Sequence, residues 1–212
     1  FEYNPDEATN ILKAEGYVIP AAGGDVRGKD GTLLSFTMLH PDDEVHTKLA
    51  ETIRDAWVEI GVQANLQAVP YDELAVDFLA SRTYHAALVD LNLARTPDPD
   101  PYPFWHQAEA AGGQNYSQWD NRAASEYLEQ ARVTADPTLR TRLYRNFQVV
   151  FSKELPALPL FVPVYSYGVD AQVQGVQVGP LYDPSDRLAT FTRWYLLTRR
   201  ALEDTAVPTT SP

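Results

Sequence analysis

The sequence predicts an α/β fold on three observations. Strand and helix patterns alternate over residues 33–93. The hydrophobic period switches from helical spacing to strict alternation across Gly61. Helix-capping residues stand at the starts of the helical stretches. Strand, helix, strand, helix, strand implies a parallel sheet with right-handed crossovers.

The first helix starts at the N-cap Asn4, with Pro5 at its first position and Glu7 at the capping-box position. Ala8, Ile11 and Leu12 form its apolar face, and Gly16 is its stop signal. A Gly-rich turn (residues 23–31) leads to an apolar strand, Leu33–Leu39. The second helix runs from about Asp42 to Ile60, with Val45, Leu49, Ile53, Trp57 and Ile60 at helical spacing. Val62, Ala64, Leu66 and Ala68 then alternate with polar residues as a strand, which Pro70 ends. Tyr71–Arg82 reads as a third helix burying Leu74, Phe78 and Leu79, and Ala86–Leu93 as a strand covered on both faces and interrupted by Asp90. Four prolines between Arg95 and Asn121 predict a long loop that is neither helix nor central strand. Its aromatics, Tyr102, Phe104, Trp105, Tyr116 and Trp119, argue for order. A helix from Asn121 follows, with Ala124, Tyr127, Leu128 and Ala131 inward. The next is capped by Asp136 and buries Leu139, Leu143, Tyr144, Phe147 and Phe151. Leu158–Val169 reads as a last strand, the chain beyond Gly175 as irregular, and Ala201–Pro212 as a disordered tail.

Composition narrows the function. The 212 residues carry 29 acidic and 17 basic side chains, a net charge of −12, which argues against duplex nucleic acid and anionic lipid as partners. No apolar run reaches the roughly 20 residues a membrane helix needs. Cysteine is absent, so disulfides, thiolate metal sites and cysteine nucleophiles are excluded. The chain opens on Phe1 and its only methionine is Met38, so it reads as a mature form or an excised piece.

Motifs for nucleophilic, zinc or phosphate chemistry are missing, and the histidines at 40, 46, 85 and 106 are scattered. His85 beside a buried strand reads as a partnered structural residue. Asp98 and Asp100 serve either as metal ligands or, in the reading we prefer, as caps on the turn's own N–H groups. Phe104 reads as a core anchor, while Trp105, Tyr116 and Trp119 suit core or half-exposed binding positions equally. Arg95 lies just past the end of a predicted strand, where open α/β sheets bind ligands. It either contacts a ligand or pairs with Asp98 or Asp100.

The run Asn-Leu-Ala-Arg-Thr-Pro-Asp-Pro-Asp-Pro-Tyr-Pro-Phe-Trp-His (92–106), followed by Gly-Gly-Gln-Asn-Tyr-Ser (112–117), resembles the family 5 extracellular solute-binding proteins of ABC importers, the oligopeptide-, dipeptide- and nickel-binding type. The helix at 4–17, the Ile-Gly-Val ending at Val62, the paired helices around Glu129 and Arg140, and Leu155–Phe161 resemble further family segments in the right order. The resemblance implies a periplasmic-binding-protein-like lobe of the class II, peptide-binding type, a mixed sheet flanked by helices. Residues 1–166 are then most of the second lobe, and 167–200 a segment returning to a first lobe that lies upstream. It implies no catalysis, no cofactor and no metal. Its expected ligand-binding set is Asn92, Arg95, Thr96, Trp105, Asn115, Tyr116 and Trp119. Peptide binders of the family hold the ligand's amino group with an Asp and a Trp where this chain has Arg95 and Asn92, a departure that favours a carboxylate, phosphate or hydroxyl-rich group at that spot.

The implied function is capture of a peptide or peptide-like solute between two lobes and delivery to an ABC permease. The implied location is extracytoplasmic, in the periplasm or on the outer face of the membrane, anchored by an upstream segment. Two alternatives stand beside it: a hydrolase or metal-dependent enzyme using Asp98, Asp100 and His106, and a sensory module built on the same clamp.

Overall fold

The computed structural model describes residues 2–93, 99–179, 181 and 183–196. The chain divides into two compact units. One is Phe1–Leu91 with Asp100–Ala157, and the other is Asn92–Pro99 with Leu158–Pro212.

In the first unit, helix α1 (Pro5–Ala14) starts as the sequence predicts, with the Asn4 side chain accepting from the Glu7 N–H. It ends at Gly16, whose φ of +89° lets the Tyr17 N–H turn back to the Leu12 carbonyl. Its face is only lightly covered: Ile11, expected inside, is exposed. Strands β1 (Gly28–Lys29) and β2 (Thr32–Leu33) form a small antiparallel ribbon. Strand β3 (Ser35–Pro41) runs into helix α2 (Glu44–Glu59), capped by Asp43, whose carboxylate accepts from the N–H groups of Val45 and His46. Val45 is 67% exposed, contrary to expectation. It sits in the first turn, ahead of the stripe through Ala50, Ile53 and Trp57 that meets the sheet. Gly61 ends α2 at φ +81°, and a Cβ there would stand 2.9 Å from Arg27 Cγ, so glycine is required twice over.

Strand β4 (Gln63–Val69) pairs parallel with β3 along its whole length. The third helix differs from expectation. An α turn, α3 (Tyr71–Glu73), passes into a π turn over Leu74–Leu79. The wider turn still buries Leu74 and Leu79 against Leu39 and Val69. The next strand is also shorter than predicted. Only β5 (Ala86–Ala87) pairs with β3, followed by one bond from the Leu88 N–H to the Leu39 carbonyl. The ladder stops there because β3 ends at Pro41, which has no N–H to donate.

The sheet order is thus β4-β3-β5, all parallel, with β3 in the centre. Phe36, on one face of β3, meets Trp57 of α2 edge-on at 5.9 Å, and Leu39, on the other, packs on the π turn. The two crossovers therefore cover opposite faces of the sheet.

The proline-rich stretch contains helix after all. Pro101 and Pro103 stand at the cap and first turn of α4 (Tyr102–Trp105), where no intrahelical N–H is needed, and a 3₁₀ turn follows at Gln107–Glu109. Helices α5 (Arg122–Val133) and α6 (Pro137–Glu154) form a hairpin with caps Asn121 and Asp136 as predicted. Ala124, Leu128 and Phe147 close a second core around Trp119.

In the second unit, β6 (Val173–Gln174) pairs antiparallel with β7 (Tyr195–Leu196). Residues 158–169, expected as a strand, have no ladder partner among the described residues and lie exposed, with Val162 at 87% and Val164 at 89%. The predicted tail, Ala201–Pro212, lies outside the described residues.

Candidate functional site

Strand order reverses at β3: one crossover leads from it to β4, and the next passes back to β5. In open α/β sheets, ligands bind outside the carboxyl ends of strands at such a reversal, here between β3 and β5. Three titratable residues meet at this edge. Asp43 follows β3, His46 lies in the first turn of α2, and Asp90 follows β5. His46 Nδ1 lies 2.5 Å from Asp43 Oδ2, and His46 Nε2 lies 3.3 Å from Asp90 Oδ2. Burial opposes charge on this imidazole, but its hydrogen bond to Asp43 and the two carboxylate charges outweigh burial and raise its pKa. Asp43 is held below its usual pKa, chiefly by the His46 backbone N–H it accepts. Tyr71, entering α3 from β4, has its phenol raised by burial and then by the charges of Asp90 and Tyr116. The sequence assigns none of these side chains to a site. The available signal was an Asp-Asp-Glu-Val-His run after a strand, and an Asp inside an apolar one.

The aromatic loop lies on two supports. Tyr116 packs on the sheet core; its carbonyl accepts from the Tyr84 hydroxyl, and the Arg82 guanidinium stands 5.1 Å from its ring. Arg82, also missed in the sequence, donates to the carbonyls of Leu79, Glu109, Ala110 and Gly113 and so ties the loop to the π turn. Trp105 stands half-buried, edge-on to Phe151 at 4.8 Å. An open depression, lined by Gln107, Ala108, Ala110, Ala111, Gln118 and Asp120, lies beside the loop.

Two members of the expected ligand-binding set are turned inward instead. Asn115 is 0% exposed. Its Nδ2 donates to the carbonyls of His106 and Trp119, and its Oδ1 accepts from the Trp119 N–H and the Ser117 hydroxyl. The Trp119 indole is buried against Phe147 and Phe151, and its Nε1 donates to Glu154 at 2.8 Å. Every polar atom of these two side chains is already used in holding the loop. Asn92 is exposed; Arg95 and Thr96 lie outside the described residues.

The enzymatic alternative loses its described members to structural duties. Asp100 Oδ1 caps the Tyr102 N–H and its Oδ2 pairs with Arg132 at 3.0 Å, as the turn-capping reading requires. His106 is buried and stacked on Tyr102. Its Nδ1 accepts the Ala108 N–H, so the ring proton sits on Nε2 and goes to Glu129 at 2.9 Å. Asp98 lies outside the described residues. His85 is exposed and, as expected, partnered: its Nδ1 accepts the Thr37 N–H. Among the described residues no group of three or more His, Asp or Glu side chains is arranged to hold a metal ion, and no helix is long and apolar enough to cross a membrane.

The chain resembles known proteins throughout. The dipeptide-binding protein of Escherichia coli (strain K12) is 26% identical over 183 residues, covering 85% of this chain and 32% of that protein. Protein XP55 of Streptomyces lividans is 27% identical over 149 residues, covering 67% of this chain and 27% of that protein. The oligopeptide-binding protein AppA from Bacillus subtilis, solved in complex with a nonapeptide, superposes with a TM-score of 0.69 at 20% identity, over 93% of this chain and 38% of AppA. NikZ from Campylobacter jejuni, solved with Ni(L-His), gives 0.63 at 21%, over 74% of this chain and 31% of NikZ. The fold is therefore that of a peptide-binding-type periplasmic binding protein lobe. The chain spans about a third of the length of the relatives it matches. Residues 1–114 match the family described as bacterial extracellular solute-binding proteins, family 5, middle region, and the chain belongs to that family.

Proposed function

We propose that this chain forms part of the extracytoplasmic solute-binding component of an ABC importer, and that the intact protein captures a peptide or peptide-like solute between two lobes and hands it to a membrane permease. The observation that carries this reading is the match of residues 1–114 to the family, on a chain whose parallel sheet opens a strand-order reversal toward its carboxyl edge. Proteins named for dipeptides or for di- and tripeptides among its relatives support peptides as the solute class. Closure would be a hinge motion in which ligand contacts favour the closed state, with no bond made or broken. Asn92, Arg95, Thr96, Trp105 and Tyr116 remain the proposed ligand contacts.

The second unit fits a segment that packs on the remainder of the protein. Its Leu158, Phe161, Val162 and Val164 are exposed, and contiguous exposed apolar surface marks interaction sites. Residence in the periplasm or on the outer face of the membrane, with an anchor in another part of the protein, goes with this reading.

Native purification of the full-length protein, followed by mass spectrometry of released small molecules and calorimetry with di-, tri- and oligopeptides, tests the proposal. A recovered peptide that rebinds supports it. Absence of any recovered solute together with no heat from the peptide panel overturns it.

A further inference from the structure

We propose that His46 is a pH-sensitive latch across the carboxyl edge of the sheet, tying the exit of β5 at Asp90 to the start of α2. The geometry suits a charged ring. Both imidazole nitrogens face carboxylate oxygens, Asp43 hydrogen-bonded at 2.5 Å and Asp90 at ion-pair distance, 3.3 Å, and ionised carboxylates only accept. A neutral ring has one N–H, enough for Asp43 alone; the imidazolium serves both carboxylates. The same residue type at 106 accepts a backbone N–H on Nδ1, which neutral imidazole does.

The groups around the latch come from several elements. Asp43 caps α2, with Asp42 and Glu44 flanking it in sequence. Asp90 comes from the β5 exit. Tyr71, at the start of α3, feels the charge of Asp90, and His40 of β3 directs its Nδ1 to the Pro41 carbonyl. The balance of charge is acidic, so it favours the protonated ring, as the raised pKa of His46 agrees.

When pH rises through the His46 midpoint, one ring proton leaves. The closer contact keeps the remaining proton on Nδ1, facing Asp43. Nε2 then presents a lone pair to the Asp90 carboxylate, and attraction gives way to repulsion. Asp90 is released while the Asp43 cap on α2 stays. The latch therefore governs how firmly the exit of β5, through Asp90 to Leu91, is held. Its bearing on solute capture rests on the binding reading above.

The test is an NMR titration of the His46 ring with amide hydrogen exchange of Val89, Asp90 and Leu91, in the wild-type chain, Asp90→Asn and His46→Gln. Asp90→Asn is expected to lower the His46 midpoint by about 0.2–0.7 pH unit, the scale of an exposed ion pair. In the wild type, exchange at 89–91, corrected for intrinsic base catalysis, should rise about 1.5- to 5-fold across the midpoint. In His46→Gln that step should vanish. An unchanged midpoint in Asp90→Asn, or no step in the wild type, overturns the latch. Asp90 is exposed, so its variant keeps the test valid even if His46→Gln does not fold. No solute enters these readouts, so failure of the latch is distinguishable from failure of the solute-binding reading.

Discussion

Replacing Asn115 by alanine separates a structural role for this residue from a ligand contact. The side chain makes four hydrogen bonds in a site with no solvent access. Truncation leaves the Trp119 carbonyl and the Trp119 N–H unpaired, while the His106 carbonyl keeps the Glu109 N–H and the exposed Ser117 hydroxyl turns to water. A buried polar group left unpaired costs about 1–3 kcal/mol. Taking the low end for each of the two groups, since a water entering the vacated space recovers part of the loss, gives about 2 kcal/mol. For a chain of this size that lowers the melting temperature by about 4–8 °C. Ser117→Ala should cost under about 0.5 kcal/mol. Asn115→Asp keeps the acceptor for the Trp119 N–H but sets a carboxylate oxygen against two carbonyls. Its folded pKa is then raised, so it should lose stability progressively as pH rises through the ordinary carboxylate range. Urea unfolding followed by tryptophan fluorescence measures all three. Stability unchanged within about 0.5 kcal/mol in Asn115→Ala, with lost solute binding in the intact protein, would refute the structural assignment.

Further outcomes follow from the same contacts. Arg82→Ala should cost about 2–4 kcal/mol by orphaning the carbonyls it collects, and Arg82→Lys should recover little, because one ammonium cannot replace a planar fork; denaturant melts read both. Glu154 is held below its usual pKa by hydrogen bonds from Trp119 and then Asn121. The stability it adds is therefore full above the unfolded carboxylate pKa and is lost as pH falls through the lowered folded value. Glu154→Gln should flatten that acid limb in a pH series of thermal melts. Arg95→Ala in the intact protein should weaken an anionic or hydroxyl-rich ligand by about 2–5 kcal/mol in calorimetry without moving the melting temperature, if the residue contacts the ligand. This chain alone should bind the solute far more weakly than the intact protein, because one wall leaves the ligand wet while association still costs several kcal/mol of lost freedom.

The legible parts of the fold were those written in local chemistry. Asn4, Asn121 and Asp136 cap their helices, and Gly16 and Gly61 end theirs, because caps and positive φ act within a few residues. The parallel pairing of β3 with β4 follows from the period switch at Gly61. The parts that differed depend on partners distant in sequence. Ala86–Leu93 has strand composition, yet pairing lasts only as long as β3 can supply it. Leu158–Val169 has strand composition too, and an unpaired strand has no ladder to join. The prolines at 101 and 103 break helices in general, but position decides: at the cap and first turn they cost nothing.

The site followed the same division. The sequence marks the loop between Arg95 and Asn121 by its prolines and aromatics; Tyr102, Trp105 and Trp119 pack on one core and Tyr116 on the other. Which of them face solvent is a tertiary fact. Asn115 and Trp119 enter the expected binding set through the family resemblance, and their polar atoms here satisfy a buried turn. Histidine shows the point most sharply. His46 and His106 each lie near a carboxylate from another element, so proximity alone assigns them the same role. The second ring nitrogen separates them. At His106 it accepts the Ala108 N–H; at His46 it faces a second carboxylate. That distinction depends on which atom each ring nitrogen faces in the folded chain.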